Sequence, residues 1–348
     1  MAHTFTFQDV NQAYSELQIA KKSLARWEPT RNGRALVFQE PVIVTHTMPY
    51  RRVLFDVKRD ANPFFHYMEA LWMLAGKNNV SFPAKFASNI RQYSDDGLRL
   101  HGAYGYRWIH NFDVNQINSA IHMLRTDPAS RRIVIAMWDP NKDLEIDSKD
   151  LPCNTHLYFR VVNNRLDMTV CNRSNDLVWG MLGSNIVHFS ILQEYIATSC
   201  SMQPGNLIQF TNNLHIYEGW EDKYEYKESD WYLERGHYNR HAFSPQNLDM
   251  EELDDFIDLE NRYYKSPIIA HNACPMMEAW DSYKADDFDL AIHTARRIAD
   301  KDWSIACVDW LQRRQDARQE RLGRSGNTAT SQGRLSGQEV SYDPPDYT

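Results

Sequence analysis

The sequence predicts a mixed α/β fold, because strand and helix signals alternate through the middle of the chain. Three apolar runs predict strands: residues 156–162, 166–171 and 207–210. Between the first two stands Asn163-Asn164, which fits a two-residue turn because Asn tolerates positive φ. Apolar side chains recur at helical spacing over residues 185–199, which predicts a helix between the second strand and the third.

Composition and charge narrow the class of protein. The chain has 348 residues, enough for a large core in one domain or two, and its net charge of −8 argues against a broad nucleic-acid surface. Its five cysteines form no Cys-x-x-Cys pair, which argues against a disulfide framework and against a metal site. No apolar run approaches about 20 residues and the start lacks an apolar signal core, so we expect a cytoplasmic protein.

The first segments predict a helix, a polar loop and two short strands. Asp9 is suited to cap the helix, because its carboxylate can accept from free backbone N–H groups in the first turn. The turn-rich loop at residues 28–34 contains Arg31, which by residue type alone would be a solvated loop side chain. Apolar runs at residues 36–38 and 42–44 then predict strands.

The clearest helix follows Asn62-Pro63. Its apolar stripe consists of Phe65, Met68, Trp72 and Ala75. Glu69 neighbours this stripe, and a carboxylate there is costly to bury without a partner. Glu69 is therefore either at the edge of the stripe, where it reaches water, or a buried acid suited to proton transfer.

Two motifs follow a mixed polar segment that ends near residue 99. Tyr104 stands between two glycines, which by residue type alone favours a core tyrosine. After a helix at about residues 114–125, Arg131-Arg132 precedes an apolar run. Adjacent strand residues point to opposite faces, so both side chains can hold one anion only from the preceding turn. A paired Arg is otherwise a solvated strand end.

The chemically distinctive residues are concentrated between residues 150 and 217. They lie at the ends of the predicted strands and at the start of the predicted helix. In chain order they are Pro152-Cys153, Arg173-Ser174-Asn175-Asp176, Gly180, Asn185 and His215-Ile216-Tyr217.

This order of motifs resembles the thymidylate synthase superfamily. The family carries a Pro-Cys nucleophile, an Arg-Ser-x-Asp block, a Gly and then an Asn before a long helix, and a His-x-Tyr pair. One such motif is a weak signal, but all of them at nearly the family spacing are a strong one. The resemblance covers about residues 5–225. It implies a large twisted sheet backed by helices, and a homodimer formed through the sheet.

The resemblance also implies catalytic roles. Cys153 matches the nucleophile, Glu69 the catalytic carboxylate, and Tyr104 the tyrosine that helps to remove a proton from carbon 5 of the base. Asp176 would order the base through water or the backbone. A thiolate that adds to carbon 6 of a pyrimidine places negative charge on carbon 5, which then attacks a one-carbon unit. The family takes that unit from 5,10-methylenetetrahydrofolate, its co-substrate.

The nucleotide would be held by side chains from several segments. The phosphate ligands would be Arg31, Arg131, Arg132, Arg173 and Ser174. In the family the Arg131-Arg132 pair reaches the phosphate bound in the other subunit, so the active sites are shared. Asn185 would contact the base, and His215 and Tyr217 the sugar hydroxyl. The amide of Asn185 complements the ring N–H and carbonyl of uracil, whereas cytosine would favour a carboxylate.

The protonation of Cys153 is a further expectation. A free thiol has a pKa of about 8.5 and is mostly protonated at pH 7. Nearby Arg side chains, Arg173 above all, are expected to lower the pKa of this thiol.

Departures from ordinary thymidylate synthases favour hydroxymethylation over methylation. In the synthases the folate gives hydride to the transferred methylene, whereas in nucleotide hydroxymethylases water attacks it. Ile90 and Tyr93 stand where Trp residues shield the folate, and Asp176 would also lie on the cofactor side. Other departures are Asn154 for His, Asn213 for Asp, one extra residue between Gly180 and Asn185, and a C-terminus, Pro-Pro-Asp-Tyr-Thr, without an apolar closing residue.

We therefore expect a homodimeric dUMP hydroxymethylase that makes a precursor of modified DNA and binds neither nucleic acid nor membrane. Three alternatives remain open: a thymidylate synthase, a dCMP hydroxymethylase, and an inactive nucleotide-binding or RNA-binding relative. The intact set of Cys153, Glu69 and Arg side chains speaks against the last of these. Residues 1–313 would form the catalytic domain, and residues 314–348, with few large apolar side chains, a disordered tail.

Overall fold

The computed structural model describes residues 1–31, 33–220, 248–259 and 263–327, with side chains as far as residue 322. The strands are β1 His3–Phe7, β2 Ala25–Thr30, β3 Gly33–Phe38, β4 Val42–His46, β5 Val134–Ala136, β6 Asn154–Val162, β7 Arg165–Asn172, β8 Asn175–Asp176, β9 Gln203–Thr211 and β10 Leu214–Tyr217. Within the described residues they form a six-stranded sheet, in the order β1-β4-β9-β7-β6-β5, and a four-stranded sheet, in the order β2-β3-β10-β8.

Helices alternate with these strands along the chain. They are α1 Val10–Leu24, α2 Pro63–Leu74, α3 Pro83–Phe86, α4 Tyr104–Ile109, α5 Gln116–Thr126, α6 Pro140–Asp143, α7 Asn185–Ser199, α8 Met250–Asp258, α9 Cys274–Lys284, α10 Phe288–Ala295 and α11 Lys301–Asn327. A 3₁₀ turn spans Ser88–Tyr93, and π-type helical segments, Leu177–Ser184 and Ile269–Ala273, lead into α7 and α9.

The predicted mixed α/β architecture is confirmed, and so are several of its details. Asn163 and Asn164 form the β6–β7 turn with φ of 51° and 58°. The side chain of Asp9 caps α1 by accepting from the backbone N–H groups of Asn11 and Gln12. These features were predictable because each depends on residues that are neighbours in the sequence.

One face of the large sheet is buried and the other is not. Met168, Val170 and Leu207 lie on the buried face; α7 packs over it, and α2 packs on α7. The opposite face, which we call the open sheet face, carries half-exposed apolar side chains in the described structure. They are Ile43, Val134, Tyr158, Ile208 and Phe210, and strand register places them on the same side. Alternating burial of this kind is the pattern of a sheet with one covered face.

The C-terminal region differs from its predicted disorder over residues 314–327, which continue α11. Arg313 and Arg314 both pair with Asp60, at 2.8 and 2.9 Å, and the Arg314 guanidinium lies 3.2 Å from the ring centroid of Trp310. These contacts hold the helix against the segment before α2. Residues 328–348, including Pro-Pro-Asp-Tyr-Thr, lie outside the described residues.

Across the described ranges, no helix combines the length and the apolar character that crossing a bilayer would need.

Candidate active site

The loop that carries Cys153 is held by one arginine. Cys153 directly precedes β6, and Arg173 directly follows the neighbouring strand β7. The backbone N–H of Arg173 donates to the Cys153 carbonyl at 2.9 Å. Its guanidinium donates from Nε to the Pro152 carbonyl at 3.0 Å and from Nη2 to the Leu151 carbonyl at 3.1 Å. Three consecutive residues are thereby fixed by Arg173, although its side chain is largely exposed.

The thiol of Cys153 is more basic than the sequence suggested. Burial raises its pKa, while the positive charge of Arg173 acts to lower it and the carboxylates of Asp150 and Asp176 add to the rise. The expected direction of the Arg173 effect is correct, but the expected net lowering is wrong because burial outweighs it. In this structure the thiol is therefore mostly protonated at neutral pH.

Tyr104, at the start of α4, lies close enough to this thiol to interact with its charge. Its ring stacks on Phe189 of α7, with centroids 5.9 Å apart. Burial raises the pKa of Tyr104 well above its ordinary value, and the charges of Cys153 and Asp150 act in the same direction. The next residue is Gly105, where an added Cβ would lie 1.7 Å from the Met73 carbonyl oxygen, so the close approach of α4 to α2 requires glycine. Tyr104 is thus placed as a neutral phenol.

Asp176 and His215 are brought together by the small sheet. They are register partners in the parallel pair β8–β10. Asp176 accepts from the backbone N–H of Val178 at 2.9 Å, which caps the segment Leu177–Ser184. Burial raises the pKa of Asp176, and His215 acts to lower it. The ring of Tyr217 packs edge-on against His215, with centroids 4.8 Å apart.

Asn185 lies at the start of α7 and is bonded to a second asparagine. Its Nδ2 donates to Oδ1 of Asn175 at 3.1 Å, and both side chains are buried. An added Cβ at Gly180 would lie 2.2 Å from that Oδ1, so glycine is needed there too. Asn213, predicted as a departure from the family, lies with its Oδ1 3.1 Å from Nδ1 of His215.

Glu69 is buried, so it does not lie at the edge of the apolar stripe in contact with water, which was the other position that the sequence allowed. Its Oε2 lies 2.9 Å from Nε2 of His188, which projects from α7. Sequence reasoning missed His188, although a histidine in the apolar helix three residues after Asn185 was an available signal.

Arg59 was also missed, and no sequence signal marks it. It is 1% exposed, although it stands in a polar loop. Its Nε donates to the Val178 carbonyl at 3.1 Å, and its guanidinium lies 4.0 Å from the ring centroid of Trp179. Its positive charge also acts to lower the pKa of Asp176, which places it near the cluster around Cys153.

Other predicted site residues are not joined to that cluster by a described contact. Arg31 is exposed at the β2–β3 turn, and Arg131 and Arg132 are exposed in the bend before β5, as the turn argument expected. Ile90 and Tyr93 are half-buried in the 3₁₀ turn Ser88–Tyr93 and pack against the core.

Two smaller observations complete the site. Ser174 is half-buried next to Arg173. Among the described residues, no group of three or more His, Cys, Asp or Glu side chains is arranged to hold a metal ion.

Comparisons with known proteins add a family and three relatives. The family model described as "Thymidylate synthase" matches residues 58–295. The "Deoxyuridylate hydroxymethyltransferase" of Pseudomonas phage M6 is 38% identical over 339 residues, covering 91% of this chain and 96% of the phage protein. Proteins of the same name are 37% identical in Bacillus phage SP01, over 53% of this chain and 51% of theirs, and 30% identical in Delftia phage PhiW-14, over 58% of each.

Proposed function

Because the chain belongs to the thymidylate synthase family, we propose that it is a deoxyuridylate hydroxymethyltransferase. It would transfer a one-carbon unit to carbon 5 of dUMP and leave a hydroxymethyl group there. The observation that carries this proposal is the similarity to the phage M6 protein over nearly the full length of both chains.

The nucleophilic step would belong to Cys153. Its thiolate adds to carbon 6 of the uracil ring and makes carbon 5 nucleophilic. Arg173 favours the thiolate by its charge and holds the loop, while the neutral Tyr104 phenol lies within electrostatic range of the sulfur. With its amide, Asn185 would pair with the ring N–H and carbonyl of uracil. Asp176 would order the base, and His215 and Tyr217 would contact the sugar.

The co-substrate would be 5,10-methylenetetrahydrofolate, and side chains near Asp176 suit a flat ring with carboxylates. Trp179 is half-buried, its indole packs edge-on against Trp220 with centroids 5.5 Å apart, and the Arg59 guanidinium lies over its ring. Ile90 and Tyr93 would add apolar surface on the same side. When bound, the folate supplies the methylene carbon; Glu69 would exchange protons with a water at the base, both when the proton leaves carbon 5 and when water attacks.

A homodimer through the open sheet face is a further part of the proposal. Val134 and Tyr158 are each 43% exposed there, and half-exposed Ile43, Ile208 and Phe210 extend the same surface. An apolar sheet face of this kind is suited to a second copy of the chain. Arg131 and Arg132 lie one residue before β5, at the edge of this sheet, so they would reach a phosphate across the interface. Arg31 and Ser174 would complete the phosphate site.

The phage origin of the relatives supports a last element of the proposal, that the protein acts in the cytoplasm of an infected host.

The experiment that tests this function identifies both products. The full-length protein is incubated with dUMP and methylenetetrahydrofolate. The mass of the nucleotide product is measured by mass spectrometry, and the formation of dihydrofolate is followed by its absorbance. We expect hydroxymethyl-dUMP with tetrahydrofolate and no dihydrofolate. Stoichiometric dTMP and dihydrofolate would instead identify a thymidylate synthase. Turnover of dCMP but not of dUMP would identify a dCMP hydroxymethylase.

A further inference from the structure

The Glu69–His188 pair joins α2 to α7, the helix that packs over the large sheet. Glu69 comes from α2 and His188 from α7, and the oxygen-to-nitrogen distance is 2.9 Å. The side chains are 10% and 1% exposed, so the bond is shielded from water. A hydrogen bond to a carboxylate in such surroundings is short and strong compared with one between neutral groups.

The two nitrogens of His188 have different surroundings. Nε2 faces Glu69, while Nδ1 is buried and has no hydrogen-bond partner among the described residues. A doubly protonated ring would bury a second N–H without an acceptor, which is costly. The arrangement therefore favours the neutral tautomer that carries its proton on Nε2 and donates it to Glu69.

His188 comes from the same helix as two residues of the proposed nucleotide site. Asn185 and His188 are three residues apart and lie on the same face of α7. The residue after His188 is Phe189, whose ring stacks on Tyr104. About one turn of α7 therefore carries Asn185, proposed to contact the base, His188, which contacts Glu69, and Phe189, which stacks on Tyr104.

Resting on the proposed function, we propose that His188 is a positioning residue for Glu69. By donating to Oε2, it fixes the carboxylate so that Oε1 is directed to the water that acts at the base. Because this donation persists when Oε1 takes up or releases a proton, Glu69 can exchange protons without turning away. Without His188 the carboxylate would rotate, and its proton transfer would lose its geometry.

The test compares two replacements of His188 in the full-length protein. In His188→Phe an aromatic ring is kept and the donor is lost, whereas in His188→Gln an amide N–H is kept. We measure kcat and KM for dUMP together with tritium release from [5-³H]dUMP. We expect His188→Phe to lower kcat and tritium release by about 100-fold, within the range for general acid–base groups, with KM changed by less than about threefold. The kcat of His188→Gln should be at least about tenfold higher than the kcat of His188→Phe.

A matched control separates this effect from damage to the core. His46 is also fully buried, on β4, and no described contact joins it to Glu69, Cys153 or Asn185, so His46→Phe makes the same replacement at another core histidine and should leave kcat within about threefold. If His188→Phe does not fold, as judged by circular dichroism, His188→Asn takes its place, because its shorter amide does not reach Glu69. Wild-type kcat in His188→Phe, or no recovery in His188→Gln, would overturn the proposal. Tritium release precedes the branch between products, so a wild-type enzyme that makes dTMP would reject the proposed function and leave this comparison readable.

Discussion

Asn185 donates a side-chain N–H to the amide oxygen of Asn175, 3.1 Å away, inside the protein. The bond fixes which end of the Asn185 amide points toward Asn175, and so which end remains for a base. The packing of Gly180 against Asn175 leaves that side chain little room to move. Base selection in this protein would therefore depend on two asparagines, one of which would contact the nucleotide.

We predict that Asn185→Asp moves substrate preference from dUMP toward dCMP. A carboxylate accepts from the amino group of cytosine but cannot donate to the carbonyl of uracil. The ratio of kcat/KM for the two nucleotides should change by at least about tenfold, or about 1.4 kcal/mol. Asn185→Ala is the control and should weaken turnover without favouring dCMP. A wild-type preference for dCMP would mean that another residue faces the base.

Cys153→Ser should abolish turnover and leave dUMP binding within about tenfold, or about 1.4 kcal/mol. In the proposed mechanism the thiolate would form a covalent bond with the base, whereas the phosphate would be held by Arg side chains. Calorimetric titration with dUMP and a turnover assay measure the two effects. Cys171→Ser, at a half-buried cysteine in β7, should remain active. Substantial turnover by Cys153→Ser would assign the nucleophile elsewhere.

The reactivity of Cys153 should increase with pH into the alkaline range. Burial raises the pKa of this thiol and Arg173 opposes the rise, so removal of the charge in Arg173→Gln should raise the pKa further. The rate of alkylation by iodoacetamide, measured against pH, should then reach half its maximum at a higher pH in the variant. A shift to lower pH would show that Arg173 does not stabilise the thiolate.

Stability should fall as pH rises from about 4 to about 7 because of Asp300. Burial raises the pKa of Asp300 to about 7, and Asp302 adds to the rise. The ordinary pKa in the unfolded chain is near 3.9. The folded state therefore binds the proton more tightly, and its advantage is complete below the unfolded pKa and lost as pH passes through the folded pKa.

Asp300→Asn should remove this dependence. The difference in free energy of unfolding between variant and wild type should change by about 1.4 kcal/mol per pH unit in that window, measured by urea denaturation at several pH values. Asp289→Asn, at an exposed position, is the control. Parallel curves for wild type and Asp300→Asn would contradict the assigned pKa.

Phe210→Asp should break the proposed homodimer, because it places a charge in the centre of the open sheet face. We expect a monomer by sedimentation at micromolar concentration and a loss of activity, since the Arg131-Arg132 pair would no longer reach a neighbouring site. Leu290→Asp makes a comparable change at an apolar side chain that is 50% exposed on α10, and should have no such effect. A fully active monomer would contradict the shared site.

The features that sequence reasoning predicted are those set by neighbouring residues or by a family motif. The helix over residues 185–199 matches α7, and the Asn163-Asn164 turn was also correct. The family itself is confirmed by the match over residues 58–295. Periodicity and turn chemistry are local, so one sequence is enough to read them.

What the sequence could not predict depends on contacts between distant segments. The burial of Arg59 under Val178 and Trp179, the partner of Glu69, and the net pKa of Cys153 all depend on the packed structure. The helix beyond residue 313 is another case, because Asp60, which holds Arg313 and Arg314, is about 250 positions away in the chain.

Arg173 has consequences for how this enzyme family can diversify. The same guanidinium that would bind the nucleotide's phosphate also holds the carbonyls of Leu151 and Pro152. A lineage that exchanged this arginine to accept an uncharged nucleoside would lose the shape of its nucleophile loop in the same step. Asn175 and Asn185 make no described contact with Cys153, so substitutions there leave these two carbonyl contacts of the loop in place. Base preference could therefore change while Arg173, and with it the proposed requirement for a phosphate, is kept by its role in holding the loop.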